Sequence, residues 1–281
     1  MKTTFPQKIT LLGASLLLPL SASHADTIVY EQNFDTTGTW YVNESVSSPA
    51  NSPNGWWSND LSQADPFIDR GARISDGLAS TGHGNTLNLY SQNGSTKAEE
   101  QASYSFSETV TQGSFEFAVR APSYNSVYVY FGEKGVPTFD NFYLTISAST
   151  VSLNAGSPTN DKISAQPWGG SSHSSTDFYV FKITFDESSE AVSVFLDGAA
   201  SPIISMESGI VSAGILTGTI EGMESGTYEM GRVGFNGPYG GGYSSIHIDD
   251  IVLTSIPEPS CAALLCGSVA LLGLLLRRRC R

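Results

Sequence analysis

Aromatic side chains in loop-like segments are the most suggestive chemistry in this sequence. Trp56 and Trp57 sit in a stretch of Ser, Pro, Asn and Gly, residues 45–60. Trp168 precedes two glycines, and the run Gly237-Pro238-Tyr239-Gly240-Gly241-Gly242-Tyr243 carries two phenol rings on a flexible backbone. Rings presented on loops can stack on the flat faces of sugars, and amides such as Asn54 and Asn59 can bind their hydroxyls. Trp56, Trp168, Tyr239 and Tyr243 are therefore the candidate glycan contacts. The same rings could instead cap a core. For Trp56 and Trp57 that second reading is favoured, because neighbours in an extended segment point oppositely and one of them then faces inward.

Catalytic constellations are mostly missing. No Gly-x-Ser-x-Gly, His-Glu-x-x-His or Walker loop occurs. Beyond residue 25 the histidines are His83, His173 and His247, widely separated in the chain. Cys261, Cys266 and Cys280 all fall near the C-terminus, so residues 26–255 have neither a thiol nucleophile nor a disulfide. Glu221, Glu224 and Glu229 are close in sequence, but a working carboxylate pair could arise only through the fold. The expectation is a domain that is not an enzyme.

The elements that hold these residues read as strands. Apolar and polar residues alternate at Phe115, Phe117 and Val119, at Phe181, Ile183 and Phe185, and at Val192, Val194 and Leu196. Candidate strands cover 27–34, 86–90, 102–106, 114–120, 126–131, 141–147, 150–153, 178–185, 191–196, 203–206, 228–235 and 245–253. Gly, Ser, Asn, Asp and Pro separate them, and Asp197-Gly198 is a tight-turn pair. Residues 45–60 and 155–177 read as long loops. The pattern predicts an all-β chain, a two-sheet antiparallel β-sandwich of the jelly-roll kind.

The chain has 281 residues and a net charge of −13. The two ends hold six of the 14 basic residues and one of the 27 acidic ones, which leaves −18 on residues 26–255. That surface attracts cations and excludes nucleic acid as a partner. Lys2 and Lys8, the apolar run at 9–20 and the small residues Ser23 and Ala25 predict a signal peptide over 1–25, cleaved between Ala25 and Asp26. Residues 260–276 carry no charge and run into Arg277, Arg278 and Arg279. As a helix, the stretch from Cys261 spans roughly 24 Å, slightly short of the bilayer core, with the arginines on the cytoplasmic side. Pro257, Glu258 and Pro259 keep the segment before it extended.

That order of Pro-Glu-Pro, apolar helix and basic end resembles the PEP-CTERM sorting signal. The resemblance covers residues 256–281. It implies a single-pass, membrane-anchored precursor processed by exosortase, and an exported product held at the cell envelope, on the surface, or in an exopolysaccharide matrix.

A second resemblance covers about 40 residues of the region 26–255. Residues 180–198 resemble a hairpin of concanavalin A-like (laminin G-like) sandwiches, and 245–253 resemble their closing strand. Asn33-Phe34-Asp35 is similar to the opening strand of carbohydrate-binding jelly rolls. In those modules the first and last strands share a calcium ion, which makes Asp35, Asp249 and Asp250 the candidate metal ligands. Asp249 and Asp250 alternate in a strand, so at most one of them is expected to bind. No Glu-x-Asp-x-x-Glu strand of the sandwich-fold glucanases occurs. The favoured reading is a sandwich that binds polysaccharide without catalysis. The alternatives are a structural or adhesive envelope protein and a sandwich-fold glycoside hydrolase or lyase.

Overall fold

The computed structural model describes residues 26–36, 40–41, 56–57, 70–75, 82–91, 102–120, 126–132, 134, 142–147, 150–155, 163–164, 176–207, 210–213, 216–219, 228–237 and 244–256. The expected signal peptide, the Pro-Glu-Pro segment and the apolar tail lie outside these residues. Among the described residues no helix is long and apolar enough to cross a membrane.

Among the described residues eighteen strands form two antiparallel sheets. In chain order they are β1 (Thr27–Gln32), β2 (Trp40–Tyr41), β3 (Trp56–Trp57), β4 (Arg70–Ser75), β5 (Thr86–Ser91) and β6 (Ala102–Val110). Next come β7 (Gln112–Arg120), β8 (Val127–Gly132), β9 (Phe142–Ile146), β10 (Val151–Ala155), β11 (Ile163–Ser164) and β12 (Tyr179–Asp186). The last are β13 (Ala191–Leu196), β14 (Ile204–Glu207), β15 (Ile210–Ala213), β16 (Leu216–Thr219), β17 (Met230–Asn236) and β18 (Ser244–Ser255). The larger sheet has the order β16-β15-β14-β13-β12-β7-β18-β5-β4-β2, with β1 also paired to β18. The smaller has the order β11-β10-β9-β8-β17-β6-β3.

Period-two patterning explains the packing. Phe181 pairs with Phe117 and Ile183 with Phe115 across β12 and β7, and all four are buried while Lys182 is exposed. Val233 and Phe235 of β17 lie opposite Phe131 and Val129 of β8 on the inner face of the smaller sheet. The aromatic centre of the sandwich links the two sheets: Phe117 meets Phe235 edge-on at 5.7 Å, and Phe115 meets Phe131 at 5.7 Å. Each such ring contributes about 1.5–3 kcal/mol through burial. With no cysteine in the sandwich, this core carries the stability.

Two turns show how polar residues fix the hairpins. Asp197 and Gly198 both have positive φ, 48° and 69°, as a type I′ pair requires. The Asp197 carboxylate also accepts the Val180 backbone N–H at 2.8 Å. Between β12 and β13, Asp186 Oδ1 accepts the Ser188 hydroxyl at 2.6 Å and the Ser188 N–H at 2.9 Å. The Ser188 hydroxyl, above all, holds the Asp186 carboxyl below its ordinary range. A lowered folded-state pKa gives stability above the unfolded value, lost as pH falls through the folded one. The stability difference between wild type and Asp186→Asn is therefore expected to be largest at pH 7. Urea midpoints should converge as the pH drops below about 4.

Strand β18 organises the larger sheet. One edge pairs with β7 along its length. The other pairs first with β5, from Ser244 to Ile248, then with β1, from Ile251 to Ser255. Between these halves the β18–β7 register shifts, from Asp249 to Val252, in a bulge. Asp250 sits there with a φ of 48°, a conformation that costs a non-glycine residue about 1 kcal/mol or more.

Candidate functional site

Two places gather polar and aromatic groups. The first is the outer face of the smaller sheet. On β8 the inner residues are Val127, Val129 and Phe131, so Tyr128 and Tyr130 point outward. Register then builds two rows. Ser103, Gly234, Tyr130, Tyr143 and Asn154 stand side by side across β6, β17, β8, β9 and β10. Asn236, Tyr128, Thr145 and Ser152 form the next row. The Tyr128 and Tyr130 rings are nearly parallel, 6.3 Å apart and 14° in plane, and Tyr130 lies 5.4 Å from Tyr143.

Much of this face is covered. Ser103, Asn236 and Arg232 are wholly buried although they point away from the sandwich core, and Tyr143 and Ser152 nearly so. Tyr128 and Tyr130 remain half-buried and so offer the accessible rings. Burial, and secondarily the Tyr128 phenol, pushes the Tyr143 phenol above its ordinary range. The Tyr143 phenol therefore stays neutral at physiological pH and can both donate and accept hydrogen bonds. Arg232 adds a cationic donor beneath the face. Stacking rings beside neutral hydroxyls and amides suit a polyhydroxylated ligand. Among the described residues of this face there is no carboxylate.

The second place is the junction beside the β18 bulge, where β5 gives way to β1. His83, one turn before β5, has its Nδ1 at 2.9 Å from Asp249 Oδ2 and 3.6 Å from Asp250 Oδ2. One ligand atom from each of the three lies within 4.8 Å of the others. The His83 ring stacks on Phe178 at 3.8 Å, which fixes its plane. Asp249 is 1% exposed, and its Oδ1 has no hydrogen-bond partner among the described residues. Burial raises the Asp249 carboxyl, and its bond to His83 opposes that rise.

The expected site residues are distributed unevenly. Asp249 and Asp250 were expected to diverge by alternation. The bulge and the positive φ at Asp250 instead bring both carboxylates to His83, which stands between Gly82 and Gly84. Asp35 lies next door: a Cβ on Gly84 would fall on its Oδ1. It is not among the three converging ligands. Trp56 is wholly buried, donates its indole N–H to the Tyr30 hydroxyl at 3.0 Å, and packs on Phe34, Tyr104 and Phe235. Its ring is a core element and offers no face to a glycan. Trp168, Tyr239 and Tyr243 lie outside the described residues. His247 bonds to the Thr86 hydroxyl at 2.9 Å within the larger sheet.

No family model matches the chain, and no curated protein is similar to it in sequence. Solved structures do resemble it in fold. The catalytic domain of an endo-1,3-β-glucanase (laminarinase) from Thermotoga petrophila superposes with a TM-score of 0.51 at 15% identity, over 84% of this chain and 100% of that one. A non-specific endo-β-1,3(4)-glucanase of family GH16 gives 0.47 at 11% identity, over 83% and 92%. A sialidase gives 0.49 at 9% identity over 80% of this chain, which spans only 18% of the sialidase. Likeness at this level of identity shows the fold alone, a two-sheet antiparallel β-sandwich. It also corrects the expectation that the domain is not an enzyme. This architecture matches an entire glucanase catalytic domain, so a sandwich without familiar sequence motifs is no ground for excluding catalysis.

Proposed function

We propose that this chain is an exported, polysaccharide-active β-sandwich protein that lays a glucan-type chain along the outer face of its smaller sheet, with glycoside hydrolysis as its activity. The observation that carries this reading is the cluster of Tyr128, Tyr130 and Tyr143 beside buried Ser103, Arg232 and Asn236 on one face. The likeness to a laminarinase catalytic domain supports the substrate class and the activity.

Hydrolysis needs two carboxylates about 5–10 Å apart. The described face supplies none, so they would come from residues outside the described ones or from Glu229. Glu133 and Asp140 lie between β8 and β9 in sequence, and Glu221, Glu224 and Glu229 precede β17. Export and sorting rest on the sequence: the leader at 1–25, cleavage at Ala25 and Asp26, then the tail of Pro257, Glu258, Pro259 and Arg277–Arg279. In this reading the precursor is anchored by the tail, exosortase processes it, and the product stays in the envelope or exopolysaccharide matrix.

The test is affinity electrophoresis of the purified protein through laminarin and other β-glucans, alongside an assay for released reducing ends. Retardation with release is the expected result. Retardation without release would leave recognition and remove hydrolysis. Neither, on any glycan, would overturn the reading.

A further inference from the structure

The expected calcium fits the donor set at the β18 bulge poorly. Calcium takes six to eight oxygen ligands at 2.3–2.6 Å, whereas this cluster converges on an imidazole nitrogen. Imidazole with carboxylates suits first-row divalent transition ions. We infer that His83, Asp249 and Asp250 form a site for such an ion, with Zn2+ as its readiest occupant, and that this ion pins the turn before β5 to the final strand.

Three observations support the inference beyond the presence of acids. First, Asp249 is 1% exposed and its Oδ1 lacks a hydrogen bond among the described residues. A buried carboxylate oxygen left unpaired is destabilising unless a cation approaches it. Second, the spacing is right. Around one ion with bonds of about 2.1 Å, adjacent donors stand about 3.0 Å apart in octahedral geometry and about 3.4 Å apart in tetrahedral geometry. The separations of 2.9 and 3.6 Å from His83 Nδ1 bracket that range. Third, the backbone is distorted in the place that creates the cluster. The bulge and the left-handed Asp250 are what turn two sequential carboxylates to one imidazole. The side chains grade from buried Asp249 through His83, 19% exposed, to Asp250, 54% exposed, which leaves an entry from solvent.

The test uses the full-length protein without a polyhistidine tag, stripped with chelator and dialysed. Zn2+, Mn2+, Ca2+ and Mg2+ are titrated separately by calorimetry, and thermal unfolding is followed with each. One equivalent of Zn2+ should bind and raise Tm, with Mn2+ binding more weakly and Ca2+ more weakly still. His83→Gln and Asp250→Asn change partly exposed side chains and should fold. Each should weaken Zn2+ at least tenfold and abolish the Tm increment. Asp249→Asn should do the same if it folds. The inference is overturned by absence of stoichiometric Zn2+ binding, by variants that respond like wild type, or by a preference for Ca2+ that His83→Gln leaves untouched.

Discussion

Trp56→Ala is expected to destabilise the protein by about 3–5 kcal/mol, the range for emptying a large aromatic site in a core. The indole is wholly buried, stacked among Phe34, Tyr104 and Phe235, with its N–H on Tyr30. Truncation leaves a cavity and also removes the partner of a phenol whose pKa burial has raised well above its ordinary range. β3 is only two residues long and pairs with the edge of β6, so the ring is the main tie between that strand and the sandwich. Trp56→Phe should cost less, because it keeps the apolar contact and loses the hydrogen bond. Urea denaturation measures both. An unchanged midpoint in Trp56→Ala, together with lost glycan binding, would restore Trp56 to the surface role that the sequence suggested.

The second large effect concerns binding. Tyr130→Ala is expected to weaken the affinity for a bound glucan about tenfold, equivalent to about 1.4 kcal/mol. Tyr130 is the middle ring of the row, in contact with Tyr128 on one side and Tyr143 on the other. Losing it removes one stacking surface and loosens both neighbours. Tyr128→Ala should have a similar but smaller effect. Tyr130→Phe separates the ring from its hydroxyl and should retain most of the affinity if stacking dominates. Affinity electrophoresis gives the Kd values, and near-constant urea midpoints would show that the loss is local. If Tyr128→Ala and Tyr130→Ala bind like wild type while Trp168→Ala or Tyr239→Ala does not, the binding face lies on the loops.

The strands with strong alternation were legible in the sequence. Each of the twelve expected segments overlaps one, because an apolar face against a core leaves a period-two trace. β4, with the sequence Arg-Gly-Ala-Arg-Ile-Ser, escaped because Ile74 is its only large apolar residue. β15 and β16 are short and rich in small residues, and they sit at the sheet edge, where pairing needs little hydrophobic pattern. β3 fell within the stretch expected to be loop.

The candidate sites were harder to read. Tyr128, Tyr130 and Tyr143 lay within expected strands, but only strand order makes β8 and β9 neighbours and puts the three rings on one face. His83 and Asp249 are 166 residues apart, and a lone histidine in a glycine turn carries no local sign of a partner. The bulge had no warning either. Nothing in Ile-Asp-Asp-Ile announces a left-handed residue in mid-strand, and alternation alone sends the two carboxylates apart.

The position of β18 has a kinetic consequence. The last strand of the sandwich lies in the interior of the larger sheet, between β7 and the β5–β1 edge. Among the described residues the first strand pairs with no strand but that last one, with Thr27 opposite Ser255. The larger sheet therefore cannot close until the chain has emerged as far as residue 255. A nascent molecule has an open seam where β18 will sit, with β7 and β5 presenting unpaired edges. Closing that seam brings together residues more than 200 positions apart, so folding is slow and takes place after synthesis of the whole domain. Such a chain stays threadable until residue 255 has been made and acquires its final form only afterwards.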